Sequence, residues 1–314
     1  MSAASRSVTV RVPAKVNLQL SVGPRRPDGY HDVVTVLHSI SIFDEVVAVE
    51  AGGSNGISIA VDGEAPPGLP LDESNLAWRA AQALAEYADF APDVHLLLRK
   101  RIPIAGGMAG GSADAAAALI ACDALWGTDL GREEMALLAA RLGSDVPFSL
   151  HGGTAVGTNR GEILTPALIS GQFHWVCAFV SDGLSAAAVY AECDRQRGSD
   201  PVPPPQVSEP LMAALRSGDA RAVGRQLTNG LERAAVSLRP QLDLLLEAGR
   251  DAGALGAIVS GSGPTCVFLA RDEEHALDLA AEVAGSGQCE SVAQASGPVH
   301  GARIVEAESG AVGL

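Results

Sequence analysis

The sequence predicts a mixed α+β protein. Three observations carry that reading: a clean two-residue alternation over 7–22, helix-like runs at 75–88, 112–126 and 132–142, and a strand–glycine–helix passage between them. In 7–22, Val8, Val10, Val12, Ala14, Val16, Leu18, Leu20 and Val22 hold one parity. Thr9, Arg11, Lys15, Asn17, Gln19 and Ser21 hold the other. Period two means a strand, or a strand pair broken near Pro13, with one face buried. A Gly/Pro/Asp turn at 23–29 and a β-rich run over 33–50 follow, then a Gly/Pro-containing stretch over 51–72. After the helix at 75–88, Val94–Ile102 reads as a strand, and Gly127 and Gly143 stop the next two helices. A strand is expected at 173–181, and a surface loop in the Pro-rich 198–208. Helices are expected near 209–216, 219–227, 240–252 and 272–284, with a hairpin at 256–270.

Composition narrows the function. Of 314 residues 47% are hydrophobic but only 4% aromatic, so the core is expected to be Ala, Val, Leu and Ile. The net charge of −15 disfavours nucleic acid as a partner, because a phosphate backbone is bound by Lys and Arg that displace counterions. The five cysteines are scattered and form no C-x-x-C pair, which argues against a disulfide framework or structural zinc. The N-terminus has no signal-peptide core and no apolar run is long enough to span a bilayer, so a cytoplasmic protein without a membrane partner is expected.

Several segments carry candidate chemistry. Gly106, Gly107, Met108, Ala109, Gly110, Gly111 and Ser112 lie between a strand and a helix. Glycines let a backbone approach phosphate, and a helix N-terminus adds unpaired N–H groups and partial positive charge. This is neither a Walker A loop nor G-x-G-x-x-G, and a plain connector capped by Ser112 also fits it. Asp114 reads as a structural complement to the helix dipole. Lys15 and Asn17 point the same way, about 7 Å apart along the strand. They fit either a solvated face or a site for an alcohol or phosphate. Asp145, after Gly143, reads as the cap of a helix with Pro147 in its first turn, or as a carboxylate that takes a proton from an alcohol. Tyr30 and His31 share a tight turn that suits either core packing or a base. Ser260-Gly261-Ser262-Gly263-Pro264-Thr265 fits a hairpin, or a second phosphate-facing loop.

The order of these blocks resembles the GHMP kinase superfamily. Three blocks carry the likeness: 12–44 with PAKVNLQL and DGYH, 102–118 with IPIAGGMAGGSADAAAA, and 258–268 with IVSGSGPTCVF. Asn75-Leu76, Gly143–Pro147 and Asn229–Glu232 agree. The first block is similar to those members whose alcohol substrate carries a cytidine diphosphate group. The resemblance implies a two-domain α+β fold, divided as 1–165 and 166–314, with the active site in the interdomain cleft. It implies transfer of the γ-phosphoryl of ATP, with Mg²⁺ carried by the ATP, to the 2-hydroxyl of a methylerythritol bearing that group. It implies Asp145 as catalytic carboxylate with Lys15 as its cationic partner, and 106–112 around the ATP phosphates. It places Asn17, Tyr30, His31, Tyr190, Gly261 and Gly263 against substrate, and gives no metal-ligating residue. The alternatives are a homoserine- or mevalonate-type kinase of the superfamily, or a non-catalytic ligand-binding homologue. Four positions depart from the family pattern: Ala113 in place of a second Ser, Asn159 for Gly, Ala186 for Thr and Gly230 for Asp.

Overall fold

The protein is described by a computed structural model, which covers residues 6–53, 56–63 and 68–309. The expectation for the first five residues, and parts of the 51–72 stretch, lie outside the described residues. The chain begins with two 20-residue strands, β1 (Arg6–Arg25) and β2 (His31–Glu50), followed by β3 (Gly56–Val61), α1 (Leu76–Tyr87) and β4 (Asp93–Arg99). Then come α2 (Gly110–Trp126), α3 (Arg132–Leu142), α4 (Val146–His151), β5 (Thr154–Thr158), β6 (Ile163–Pro166), β7 (Phe173–Phe179) and α5 (Ala186–Arg197). The rest is α6 (Glu209–Ser217), α7 (Ala220–Gly224), β8 (Thr228–Asn229), α8 (Glu232–Leu238), α9 (Gln241–Asp251), β9 (Gly256–Val259), β10 (Cys266–Ala270), α10 (Glu273–Gly285), β11 (Ser291–Gly297) and β12 (Arg303–Ser309).

Two sheets organise these elements. The first runs β12-β1-β2-β4-β3, with β5 and β6 added beyond β2 and the short β8 alongside β1. The second runs β11-β7-β10-β9. The break anticipated near Pro13 is a register shift between Pro13 and Ala14, not a strand end. The bulge passes the missing proline donor without ending the ladder.

Every apolar residue of the β1 alternation is buried. Its polar partners Thr9, Lys15, Asn17 and Gln19 are buried as well, so the opposite face is covered and not solvated. α2 lies across β1 and β2, and its alanines 113, 115–118 and 121 are fully buried. Such small side chains let the helix sit close to the sheet.

One apolar core continues from β1, β2 and α2 into Trp175, Val267 and Leu269 of the second sheet. His38 of β2 is enclosed beside Phe173 and Trp175, and burial pulls its imidazole down to about 3, so it is neutral. The division expected at 165/166 assigns the last strand to the second unit. In the structure that strand lies in the first sheet and pairs antiparallel with β1. Among the described residues no helix is long and apolar enough to cross a membrane.

Candidate active site

The site is built on the second row of β1. Lys15 Nζ donates to Asn17 Oδ1 at 2.7 Å and to the Gly107 carbonyl at 2.9 Å. It lies 3.9 Å from Asp145 Oδ2. Burial pulls the Lys15 ammonium below the ordinary lysine range, and the Asp145 carboxylate partly opposes that. The Asn17 amide is fully engaged, with Nδ2 donating to Thr35 Oγ1 at 2.8 Å. The Thr35 hydroxyl in turn donates to the Gln19 carbonyl at 2.8 Å.

Asp145 stands immediately before α4, where a capping role was open. Its backbone is helical and its carboxylate makes no capping bond. Pro147 in the first turn has no N–H to offer. The carboxylate is left facing Lys15, with a third of its side chain exposed.

The glycine loop and the hairpin loop meet above this pair. α2 starts at Gly110, two residues earlier than expected, and its N-cap is Ala109 in the left-handed region. Ser112 is therefore inside the helix and does not cap it. The first N–H groups of α2 have no intrahelical acceptor and meet no capping side chain. They are free for an anion.

Gly107 has φ +75°, and a Cβ there would sit 2.1 Å from the Ser260 carbonyl. Ser260 Oγ donates to the Gly107 carbonyl, and Thr265 N–H to that of Gly106. Met108 turns its side chain into the core, and its carbonyl takes the Lys15 backbone N–H. On the hairpin side, a Cβ at Gly261 would lie 3.2 Å from Lys15 Nζ. The corresponding position at Gly263 faces Val259 within the loop itself. Asn229 Nδ2 bonds the carbonyls of Val259 and Gly261, both at 2.8 Å, and Glu232 accepts the Val259 N–H. These two residues hold the hairpin loop in place.

A cleft of about 1040 Å³ opens beside the pair, lined by Tyr30, His31, Ala186, Tyr190, Gly143 and Ser144 among others. His31 and Tyr190 stack with ring centroids 5.1 Å apart and 27° between planes. His31 Nε2 meets Asp194 Oδ1 at 2.8 Å. A carboxylate only accepts, so Nε2 carries the proton and fixes the ring's orientation. Tyr30 is 56% exposed and lies under the Arg160 guanidinium, 5.3 Å from its ring centroid. Burial and the charge of Asp145 push the Tyr190 phenol up to about 12, so the cleft and the Lys15–Asp145 pair share one electrostatic neighbourhood.

Residues 75–153 match the family described as GHMP kinases N terminal domain, and 211–288 match GHMP kinases C terminal. The 4-diphosphocytidyl-2-C-methyl-D-erythritol kinase of Thermobifida fusca (strain YX) is 56% identical over 307 residues, 96% of this chain and 99% of that protein. The chain belongs to the GHMP kinases. A crystal structure of 4-(cytidine 5'-diphospho)-2C-methyl-D-erythritol kinase superposes with TM-score 0.74 and 32% identity, over 91% of this chain and 98% of the other. A homoserine kinase structure from Cytophaga hutchinsonii gives TM-score 0.73 at 19% identity, covering 95% and 97%, a likeness of fold alone.

In this GHMP kinase the departures from the family pattern are accommodated locally. Asn159 takes the left-handed backbone that Asn tolerates, and its Oδ1 accepts from Arg26 Nη1 at 2.6 Å. Ala113 is buried on α2, while Ala186 lines the cleft. Gly230 donates its N–H to the Leu20 carbonyl.

Sequence reasoning missed a buried cluster beneath the phosphate loop. Lys100 is paired with both Asp44 and Asp114, the latter at 2.6 Å, and all three side chains are 4% exposed or less. Asp44 also accepts the N–H groups of Arg101 and Ile102. Asp114 is thus no dipole complement; it lies past the first turn and ties α2 to the strand end before the loop. Burial, and Asp44 nearby, raise its carboxyl to about 7 against the pull of Lys100. A charge spacing of 14 residues across a loop gives no periodic signal, so nothing in the sequence pointed to the pair.

Proposed function

We propose that this GHMP kinase phosphorylates the 2-hydroxyl of 4-diphosphocytidyl-2-C-methyl-D-erythritol, with Asp145 as proton acceptor and Lys15 as the charge beside the attacking oxygen. One observation carries the reading. The Lys15–Asp145 pair, 3.9 Å apart, lies between the uncapped N-terminus of α2 and a cleft lined by Tyr30, His31 and Tyr190. ATP supplies the phosphoryl group. A P–O bond to the 2-oxygen forms as the β–γ bond breaks, and Asp145 takes the hydroxyl proton.

Lys15 offsets the negative charge that builds on the attacking oxygen. The N–H groups opening α2, with the backbone of 106–112, hold the phosphates. Gly261 lets the hairpin backbone come up beside Lys15, and Gly107 lets the glycine loop pack on the backbone of Ser260 and Gly263. Asn17 acts through Lys15, since both arms of its amide are committed inside the protein. Tyr30 and Tyr190 offer aromatic faces to the cytosine, and His31, oriented by Asp194, reads its edge. No group of three His, Cys, Asp or Glu side chains able to hold a metal ion occurs among the described residues. Mg²⁺ would come in on the ATP phosphates, where it keeps most of its waters.

The test is ADP release by the purified chain with the cytidyl alcohol, homoserine or mevalonate as acceptor, and ³¹P NMR of the product. Turnover confined to the cytidyl alcohol, with a new phosphomonoester on its 2-oxygen, is expected. Turnover with homoserine or mevalonate instead would overturn the substrate assignment. ATP binding without turnover on any acceptor would overturn the enzymatic one.

A further inference from the structure

We propose that Thr35 is a positioning residue for phosphoryl transfer, setting the direction of the Asn17 amide that holds Lys15. This rests on the role given to Lys15 above. The argument is one of donors and acceptors. The Thr35 hydroxyl has a single proton, and it goes to the Gln19 carbonyl at 2.8 Å. Only lone pairs remain on Oγ1, so the Asn17 group facing it at 2.8 Å must be the NH₂. The other end of the amide, 2.7 Å from Lys15 Nζ, is then the oxygen.

Reversed, the amide would turn an N–H₂ toward the ammonium and an oxygen toward a hydroxyl oxygen whose proton is already used. Thr35, Asn17 and Lys15 are each 6% exposed or less, so water does not make up the loss. The groups facing the ammonium are few. From β1 it meets Asn17, and from the glycine loop the Gly107 carbonyl. From α4 it meets the Asp145 carboxylate. The hairpin loop contributes only the Gly261 backbone. Asn17 is therefore one of two direct acceptors that keep a buried lysine charged, and Thr35 holds its amide in the orientation that accepts.

The expected behaviour separates this role from a merely structural one. In the wild type, kcat should fall on the alkaline side as Lys15 loses its proton, at a pH below the ordinary 10.5. Thr35→Val keeps the shape and removes the acceptor. It should lower kcat about tenfold or more and move that alkaline limb down by about one pH unit, with both KM values within about twofold of wild type. Thr35→Ser should restore kcat and the limb. Nζ titration of ¹⁵N-lysine-labelled protein, with the Lys15 signal identified by its loss in Lys15→Met, should show the same shift without any turnover. Thr35→Cys, a weak acceptor of similar size, gives the same readouts should the valine variant not fold.

A folded Thr35→Val with wild-type kcat, limb and Lys15 titration overturns the proposal while leaving the Lys15 reading intact. Turnover retained in Lys15→Met overturns the reading itself, and the proposal with it.

Discussion

Asp145 could be read from its neighbours either as a helix cap or as a base, and its geometry separates the two. Because the carboxylate bonds no helix N–H, Asp145→Asn should leave the melting temperature nearly unchanged. It should lower kcat by about 10²–10⁴-fold, the usual contribution of a general base. Thermal melts and single-turnover rates check both halves. Lys15 and Asn17 were legible as a same-face pair on β1, but their burial was not. What covers them is the glycine loop and the hairpin loop, far along the chain, and local alternation carries no record of such contacts.

The Lys100 cluster gives a second expectation. Lys100→Met strands two buried carboxylates and should destabilise the fold by about 3–5 kcal/mol. Asp114→Asn should behave differently. A carboxyl raised in the folded state adds stability that is full below its unfolded value near 3.8 and is lost as pH rises through about 7. The Asn variant should therefore gain more on wild type at pH 8 than at pH 5. Urea midpoints at the two values measure it.

Among elements, the glycine loop and α2 are the unit on which ATP binding should depend. At Gly107 a methyl would meet the Ser260 carbonyl, and the residue holds a positive φ. Gly107→Ala should push the loop off the hairpin and raise the ATP KM about tenfold or more. The cytidyl KM should move by less than about threefold. Steady-state kinetics with each substrate varied will tell the two apart.

The strand–loop–helix order was readable because glycines punctuate it and the helix opens on an alanine-rich run, 115–118. Other elements left weaker traces. α5 was not anticipated, because its polar and alanine-rich stretch shows little amphipathic contrast and only Val189, Glu192 and Cys193 are buried. β11 and β12 were missed as well. β11 is mostly half-buried, so the parity contrast that exposed β1 is faint there.

At the scale of the molecule, two sheets share one core, and the cleft borrows from both sides of the chain. Tyr30 and His31 come from the β1–β2 turn, Tyr190 and Asp194 from α5. Tyr30→Ala should raise the cytidyl KM about tenfold while the ATP KM stays put, in line with the roughly 1–3 kcal/mol of a base-stacking face. CDP should compete against the cytidyl substrate far better than UDP, since stacking tolerates either base and only edge contacts separate them. Equal competition by the two would remove base reading from the pocket. The two-unit layout was legible only through family likeness, and the return of β12 to the first sheet was not. That pairing joins the two ends of the chain, beyond the reach of any sequence window.

This closure has a consequence for how the enzyme comes off the ribosome. β1 carries Lys15 and is made early, yet the loop bearing Gly261 follows far later and β12, the neighbour of β1, later still. The hydrogen bond from Val299 N–H to Ser39 Oγ likewise spans 260 residues. A chain stalled before Gly261 has its lysine but not the hairpin loop that covers it. Vectorial synthesis thus leaves the Lys15 site incomplete until the hairpin loop has been made, so products truncated before that loop should be incapable of spending ATP.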